Sequence, residues 1–241
     1  MFISTRSNKI VDSQTAIIEG LSSDGGLYIP TSIPSYKLTN EDLNLDYISV
    51  AKKILGLYFD DFTSSEIDYV ATNSYSKANF KEKICDVRLV GKKAYLELFH
   101  GPTLAFKDMA LTCLPYLMEV SLKKKGINKK VTILTATSGD TGGACLSGFS
   151  KSKLIDIVVL YPNNGVSPFQ EKQMLSFTNE NAKAFSLNGN FDDCQRIVKE
   201  IFNTYHSNSE VMLSSANSIN IGRLVPQIIY DYYSYIKLVN G

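Results

Sequence analysis

"VTILTATSGDTGGA" (residues 131–144) decides the fold. Its first five residues, β-branched or apolar throughout, read as a strand with both faces buried. They run into small residues and three glycines, and from there into a helical pattern that lasts to about Phe149. Towards the C-terminus the same unit recurs. "IDIVVLY" (155–161) is a strand followed by a helix from Ser167. "AKAFSL" (182–187) is a strand followed by the helix "FDDCQRIVKEIFNTY" (191–205). "VMLSS" (211–215) is a short strand before the helical "INIGRLVPQIIYDYYSYIKLV" (219–239). Strand–helix alternation of this kind predicts a parallel β-sheet with flanking helices and right-handed crossovers. Such sheets bind ligands outside the carboxyl ends of their strands.

Towards the N-terminus the rhythm differs. "VRLVGKKAYLEL" (87–98) reads as a hairpin around Gly91. A long helix is expected from about Phe106 to Lys125, kinked at Pro115, with Met109, Cys113, Tyr116 or Leu117, and Val120 on one face. Residues 1–80 read as short helices with a strand or two. "VDSQTAIIEG" (11–20) offers Asp12 or Ser13 as N-cap and Gly20 as stop, and "TSSEIDYVATNSY" (63–75) opens with a Thr63–Glu66 capping box. The expected class is therefore α/β, with a mainly helical N-terminal domain (1–80) ahead of a parallel-sheet domain (81–241).

Composition narrows the functions. The 241 residues carry a net charge of +1, which makes no electrostatic case for nucleic acid or an acidic membrane. The run Lys123-Lys124-Lys125 ends a helical pattern and is expected to stay solvated against the helix dipole. Four scattered cysteines without a C-x-x-C pair, and only His100 and His206, argue against a metal centre and for reduced thiols in a cytoplasmic protein. The N-terminus lacks the apolar core of a secretory signal, and no apolar run approaches membrane-spanning length.

Polar loops follow the first, second and fourth strands of the alternating region. "TATSGDTGGA" (135–144) leads into a helix N-terminus, where outward N–H groups favour an anion, with Ser138 and Thr141 as hydroxyl donors. Its glycine spacing fits neither the P-loop nor the dinucleotide fingerprint. "SSANSINIGR" (214–223) gathers hydroxyl and amide side chains before a lone arginine, Arg223, which suits a polar or anionic group. Lys107, in "HGPTLAFKDMA" (100–110), stands between a Gly-Pro turn and a helix. A lysine buried there beside Phe106 suits covalent attachment of an aldehyde cofactor, for which desolvation or nearby cations help.

"HGPTLAFKD", "ATSGDTGGA", "NNGVSPFQEKQM" (163–174) and "SSANSINIGRL", in this order, resemble threonine synthase, one of the pyridoxal-phosphate (PLP) enzymes of the tryptophan-synthase-β fold type. "STRS" (4–7) and "GLSSDGGLYIP" (20–30) resemble the start of that enzyme. The resemblance implies that residues 81–241 include the small domain of a fold-type II PLP enzyme. It implies that Lys107 holds pyridoxal 5′-phosphate and shuttles protons. It places Ser138, Gly139 and Asp140 beside the cofactor, and Thr137, Ser138 and Thr141 on the side that receives the substrate carboxylate. Many relatives have Asn where this chain has Asp140, and an ionised Asp only accepts hydrogen bonds. Ser215, Asn217 and Arg223 are assigned, on their chemistry, to the substrate phosphate.

The implied reaction converts O-phospho-L-homoserine and water to L-threonine and phosphate. The resemblance also implies that the glycine-rich loop for the cofactor phosphate lies beyond the region present. The chain alone is then expected to bind PLP weakly and turn over nothing. Two alternatives stand beside this reading: a phospho-lyase of the same fold that releases a 2-oxo acid, and a non-catalytic binding module.

Overall fold

The computed structural model describes residues 1–205 and 211–240; His206 lies outside them. Three short strands, β1 (Phe2–Ser4), β2 (Ile10–Val11) and β3 (Tyr28–Pro30), form an antiparallel sheet in the order β2-β1-β3. This is one strand more than the sequence pattern suggested, because pairs of two or three residues are too short to show a period. Between them α1 (Ser13–Glu19) starts at Asp12, whose carboxylate accepts from Thr15 N, and stops at Gly20 with φ +68°. Then come α2 (Tyr47–Tyr58) and α3 (Ser64–Ser74), the latter with the expected Thr63–Glu66 capping box.

The hairpin β4 (Asp86–Val90) and β5 (Lys93–Glu97) turns at Gly91, at φ +61°. The expected long helix is instead two: α4 (Asp108–Leu111) and α5 (Leu114–Lys124). Pro115 sits in the first turn of α5, where its missing N–H costs nothing, so the chain breaks before the proline rather than bending through it. The alternating region follows as β6 (Lys130–Ala136), α6 (Asp140–Phe149), β7 (Ile155–Pro162), α7 (Pro168–Ser176), β8 (Ala182–Leu187), α8 (Phe191–Thr204), β9 (Val211–Ser214) and α9 (Ile221–Asn240). The four strands are parallel, in the order β8-β7-β6-β9.

Alternate residues of the central strands feed opposite faces. Val131 and Ile133 of β6, with Ile155, Ile157 and Val159 of β7, join the main core. Leu134, Ala136 and Leu160 meet Cys194 and Val198 of α8 in a smaller one. The main core does not stop at residue 80: it runs from Phe2 through Val50, Leu55 and Leu114 to Ile229 and Ile236. Helix α9 packs along α2 and against α4, and α1 packs against α5.

The lysine run is exposed, as expected, and two of its members also make ion pairs. Lys124 pairs with Glu66, the capping-box residue of α3, and Lys125 pairs with Asp12, the cap of α1. One helix end thus holds two helix starts, because carboxylates gather at N-termini and lysines at C-termini. Among the described residues no helix is long and apolar enough to cross a membrane.

Candidate active site

Lys107 is placed by the residue after it. Asp108 is almost fully buried and accepts from Thr103 N (2.8 Å) and Thr103 Oγ1 (2.6 Å), closing residues 101–108 into a tight turn. Burial pushes the Asp108 carboxyl up, and the Thr103 hydrogen bonds oppose that shift. Within the turn Leu104 is held at φ +61°, left-handed backbone that costs a residue with a Cβ about 1 kcal/mol. Lys107 itself precedes α4, with its side chain 19% exposed. Its Nζ lies 4.6 Å from the centre of the Phe106 ring and 3.4 Å from Asp140 Oδ2. The charged neighbour supplied by the fold is therefore a carboxylate rather than a second cation.

Asp140 opens α6 at the carboxyl end of β6. Its other oxygen accepts from Gln170 Nε2 at 2.6 Å, so α7 braces the carboxylate that faces the lysine. Gly139 stands at φ +146°, and a Cβ there would lie 2.6 Å from the Gln170 amide. Thr137 works inside the turn as well as bordering the cavity. It is buried, and its hydroxyl accepts from Gly139 N (3.0 Å) and Gly142 N (2.9 Å). The hydroxyl therefore shapes the loop, and the Gly139 N–H is already used. The N–H groups of Asp140 and Thr141, in the first turn of α6, have no acceptor within the helix.

The loop after β9 lies across the same opening. Ser215 Oγ accepts from Asn217 N (3.2 Å), and Asn217 Oδ1 accepts from Thr135 Oγ1 (2.6 Å). Arg223, in the first turn of α9, is 6% exposed, and its Nη1 donates to Ala216 O at 2.8 Å. Burial pulls its guanidinium below the ordinary value. Among the described residues no carboxylate lies within ion-pairing distance of it. A cation removed from water without a carboxylate partner suits an incoming anion.

These parts line one cavity of about 720 Å³. Lys107, Thr137, Ser138, Thr141, Ser215, Asn217 and Arg223 border it, while Asp140 stands behind Lys107 and Gly139 packs under Gln170. Two walls were not legible in the sequence. Phe191, Gln195, Val198, Lys199 and Phe202 come from α8, whose strongly amphipathic pattern reads as an ordinary covering helix. Glu19 and Leu21 come from the end of α1, nearly ninety residues before Lys107. Only the Gly20 stop signal marked that second wall, and it gave no hint of a partner.

Comparison with known proteins shows a likeness that runs the length of the chain. The family model described as threonine synthase N terminus matches residues 1–75. Threonine synthase of Saccharomyces cerevisiae is 38% identical over the whole of this chain, which covers 50% of that protein. The crystal structure of the yeast threonine synthase superposes with a TM-score of 0.88 at 36% identity, across 100% of this chain and 50% of the other. A PLP-bound threonine synthase from Brucella melitensis gives 0.86 at 36% identity, across 98% of this chain and 52% of the other. The chain thus spans about half the length of the relatives it matches. In sequence and in fold, from one end to the other, it is similar to the N-terminal half of the threonine synthases.

Proposed function

We propose that this chain carries the lysine-bearing part of a PLP-dependent enzyme that converts O-phospho-L-homoserine and water to L-threonine and phosphate. The observation that carries the reading is one cavity bordered both by Lys107, after the Thr103–Asp108 turn, and by buried Arg223, which has no carboxylate partner among the described residues. The residues present fit PLP on its reactive side. Lys107 borders the cavity beside an aromatic ring, near the first-turn N–H groups of α6, while Lys199 comes from the α8 wall.

When bound, PLP supplies an electron sink for the carbanion formed at the substrate α-carbon. The remaining roles fall to the chain. Lys107 Nζ would hold the cofactor, and its amine would take the α-proton and return protons. The N–H groups of Asp140 and Thr141, with the Ser138 and Thr141 hydroxyls, receive the substrate carboxylate. Arg223, with Ser215 and Asn217, holds the phosphate group as it leaves the γ-carbon, where charge builds up. Phe191, Val198 and Phe202 add apolar surface to the α8 wall beside Gln195 and Lys199, and limit access of water to the wrong carbon. The division into residues 1–80 and 81–241 belongs to the same proposal: the first part braces the cavity and the second carries the reacting groups.

The reaction is tested in a chimaera of this chain with the second half of the yeast relative, given PLP and O-phospho-L-homoserine. Threonine and phosphate in equal amounts are expected, with Lys107→Ala inactive. Phosphate accompanied by 2-oxobutanoate and ammonia would replace this reading with the eliminating one.

A further inference from the structure

Asn220 is fully buried and uses its whole amide. Nδ2 donates to Ile17 O (3.0 Å) in α1 and to Ser215 O (2.9 Å) in the cavity loop, and Oδ1 accepts from Gly222 N (2.8 Å) at the start of α9. One side chain therefore joins three segments: the helix that ends at Glu19 and Leu21, the loop that carries Ser215 and Asn217, and the helix turn that carries Arg223. The fit is tight from the other side as well. Gly20 turns away at φ +68°, and a Cβ on it would stand 2.9 Å from Asn220 Nδ2 and 3.2 Å from Ser215 O. The carbonyl after Ser215, that of Ala216, is the one that holds the Arg223 guanidinium.

We infer that Asn220 is a positioning residue that locks the end of α1 onto the cavity, so that the N-terminal part of the chain forms a wall of the anion subsite and fixes Arg223. The inference rests on the reading of Arg223 as an anion-holding group. Capping alone does not explain the residue. A cap needs only the acceptor Oδ1, which serine or aspartate supplies equally well. Asparagine adds two donors, and both are spent on carbonyls outside the helix it caps. Buried and fully satisfied, that set of bonds fixes one arrangement of the three segments.

Asn220→Ser separates the two roles, because it keeps a capping acceptor and is too short to reach Ile17 O. Two readouts are taken on the full chain, with Asn220→Ala and Arg223→Gln alongside. The first is the affinity for inorganic phosphate. Asn220→Ser and Asn220→Ala are both expected to weaken it about tenfold, the scale for a displaced binding group, and Arg223→Gln to abolish it. The second needs no ligand: the rate at which phenylglyoxal modifies Arg223 is expected to rise about tenfold in both Asn220 variants as the guanidinium is released.

If Asn220→Ser matches the unmodified chain in the phenylglyoxal rate, the residue is a cap only and the inference is overturned. If phosphate fails to bind the unmodified chain, or binds Arg223→Gln equally well, the anion reading of the cavity fails, and the phenylglyoxal rate still decides the role of Asn220. Should the serine variant not fold, Gly20→Ala presses on the same amide from the α1 side, and the same rise in rate is required of it.

Discussion

Asp108 and Gly139 show how single residues set the geometry around Lys107. The buried Asp108 carboxyl has its pKa raised, so its contribution to stability is fully present below the unfolded value, about 3.9, and is lost as pH rises through the folded value. Asp108→Asn removes that dependence. Between pH 4 and pH 7 the stability of the variant is expected to fall less than that of the unmodified chain in urea titrations. A variant with the same fall would mean that Asp108 is not the group responsible. Gly139→Ala brings a Cβ against the Gln170 amide at a φ that L-residues rarely adopt. It is expected to cost about 1–3 kcal/mol in thermal unfolding and to loosen the brace on Asp140. At this scale the sequence was informative where a backbone rule applied: the glycines, the caps and Arg223 were all visible. It was silent where a side chain meets a distant residue. Gln170 on Asp140 and Asn220 on Ile17 join residues 30 and 203 positions apart, and no local pattern encodes either pair.

Two helix starts are tied to the end of a third helix. Lys125 meets the cap of α1 and Lys124 the capping box of α3, and both pairs are partly exposed. Asp12→Ala is expected to cost about 1 kcal/mol through the lost cap. A double-mutant cycle with Lys125→Ala should give a coupling below about 1 kcal/mol; a coupling well above that would mean the ion pair outweighs the cap. A second brace joins the segment before α2 to α2 itself. Burial works against the charge on Asp42, but hydrogen bonds from Lys53, Tyr36 and Thr39 outweigh it and hold the carboxyl well below the usual range. Its folded pKa is depressed, so its stabilisation is present above the unfolded value and lost as pH falls through the folded one. Asp42→Asn should therefore flatten the acid limb of the stability profile, the opposite sense to Asp108. The strands of the parallel sheet and most helices were legible because burial on two faces, caps and glycine stops leave local marks. The α4–α5 break was not, since a proline inside an apolar pattern fits a kinked helix as well as a new start.

For the whole molecule, the continuous core is the main fact. Phe2, Leu55, Leu114 and Ile229 belong to one packed cluster, and α9 crosses from the cavity to α2. Ile229→Ala, at a fully buried position, is expected to cost about 3 kcal/mol and to shift a single unfolding transition seen alike by far-ultraviolet circular dichroism and tyrosine fluorescence. Two separate transitions would mean that the N-terminal part folds independently of α9. The class of fold was open to sequence reading from residue 131 onward. The merging of its two halves was not, because it depends on which face of α9 meets α2. The central claim, that this fold presents Lys107 as the cofactor lysine, is tested most directly by incubating the chain with PLP, reducing with borohydride and mapping pyridoxyl-lysine by peptide mass spectrometry. The account predicts one dominant modified residue, Lys107, that is absent in Lys107→Ala. Labelling spread over surface lysines, or none at all, would contradict it.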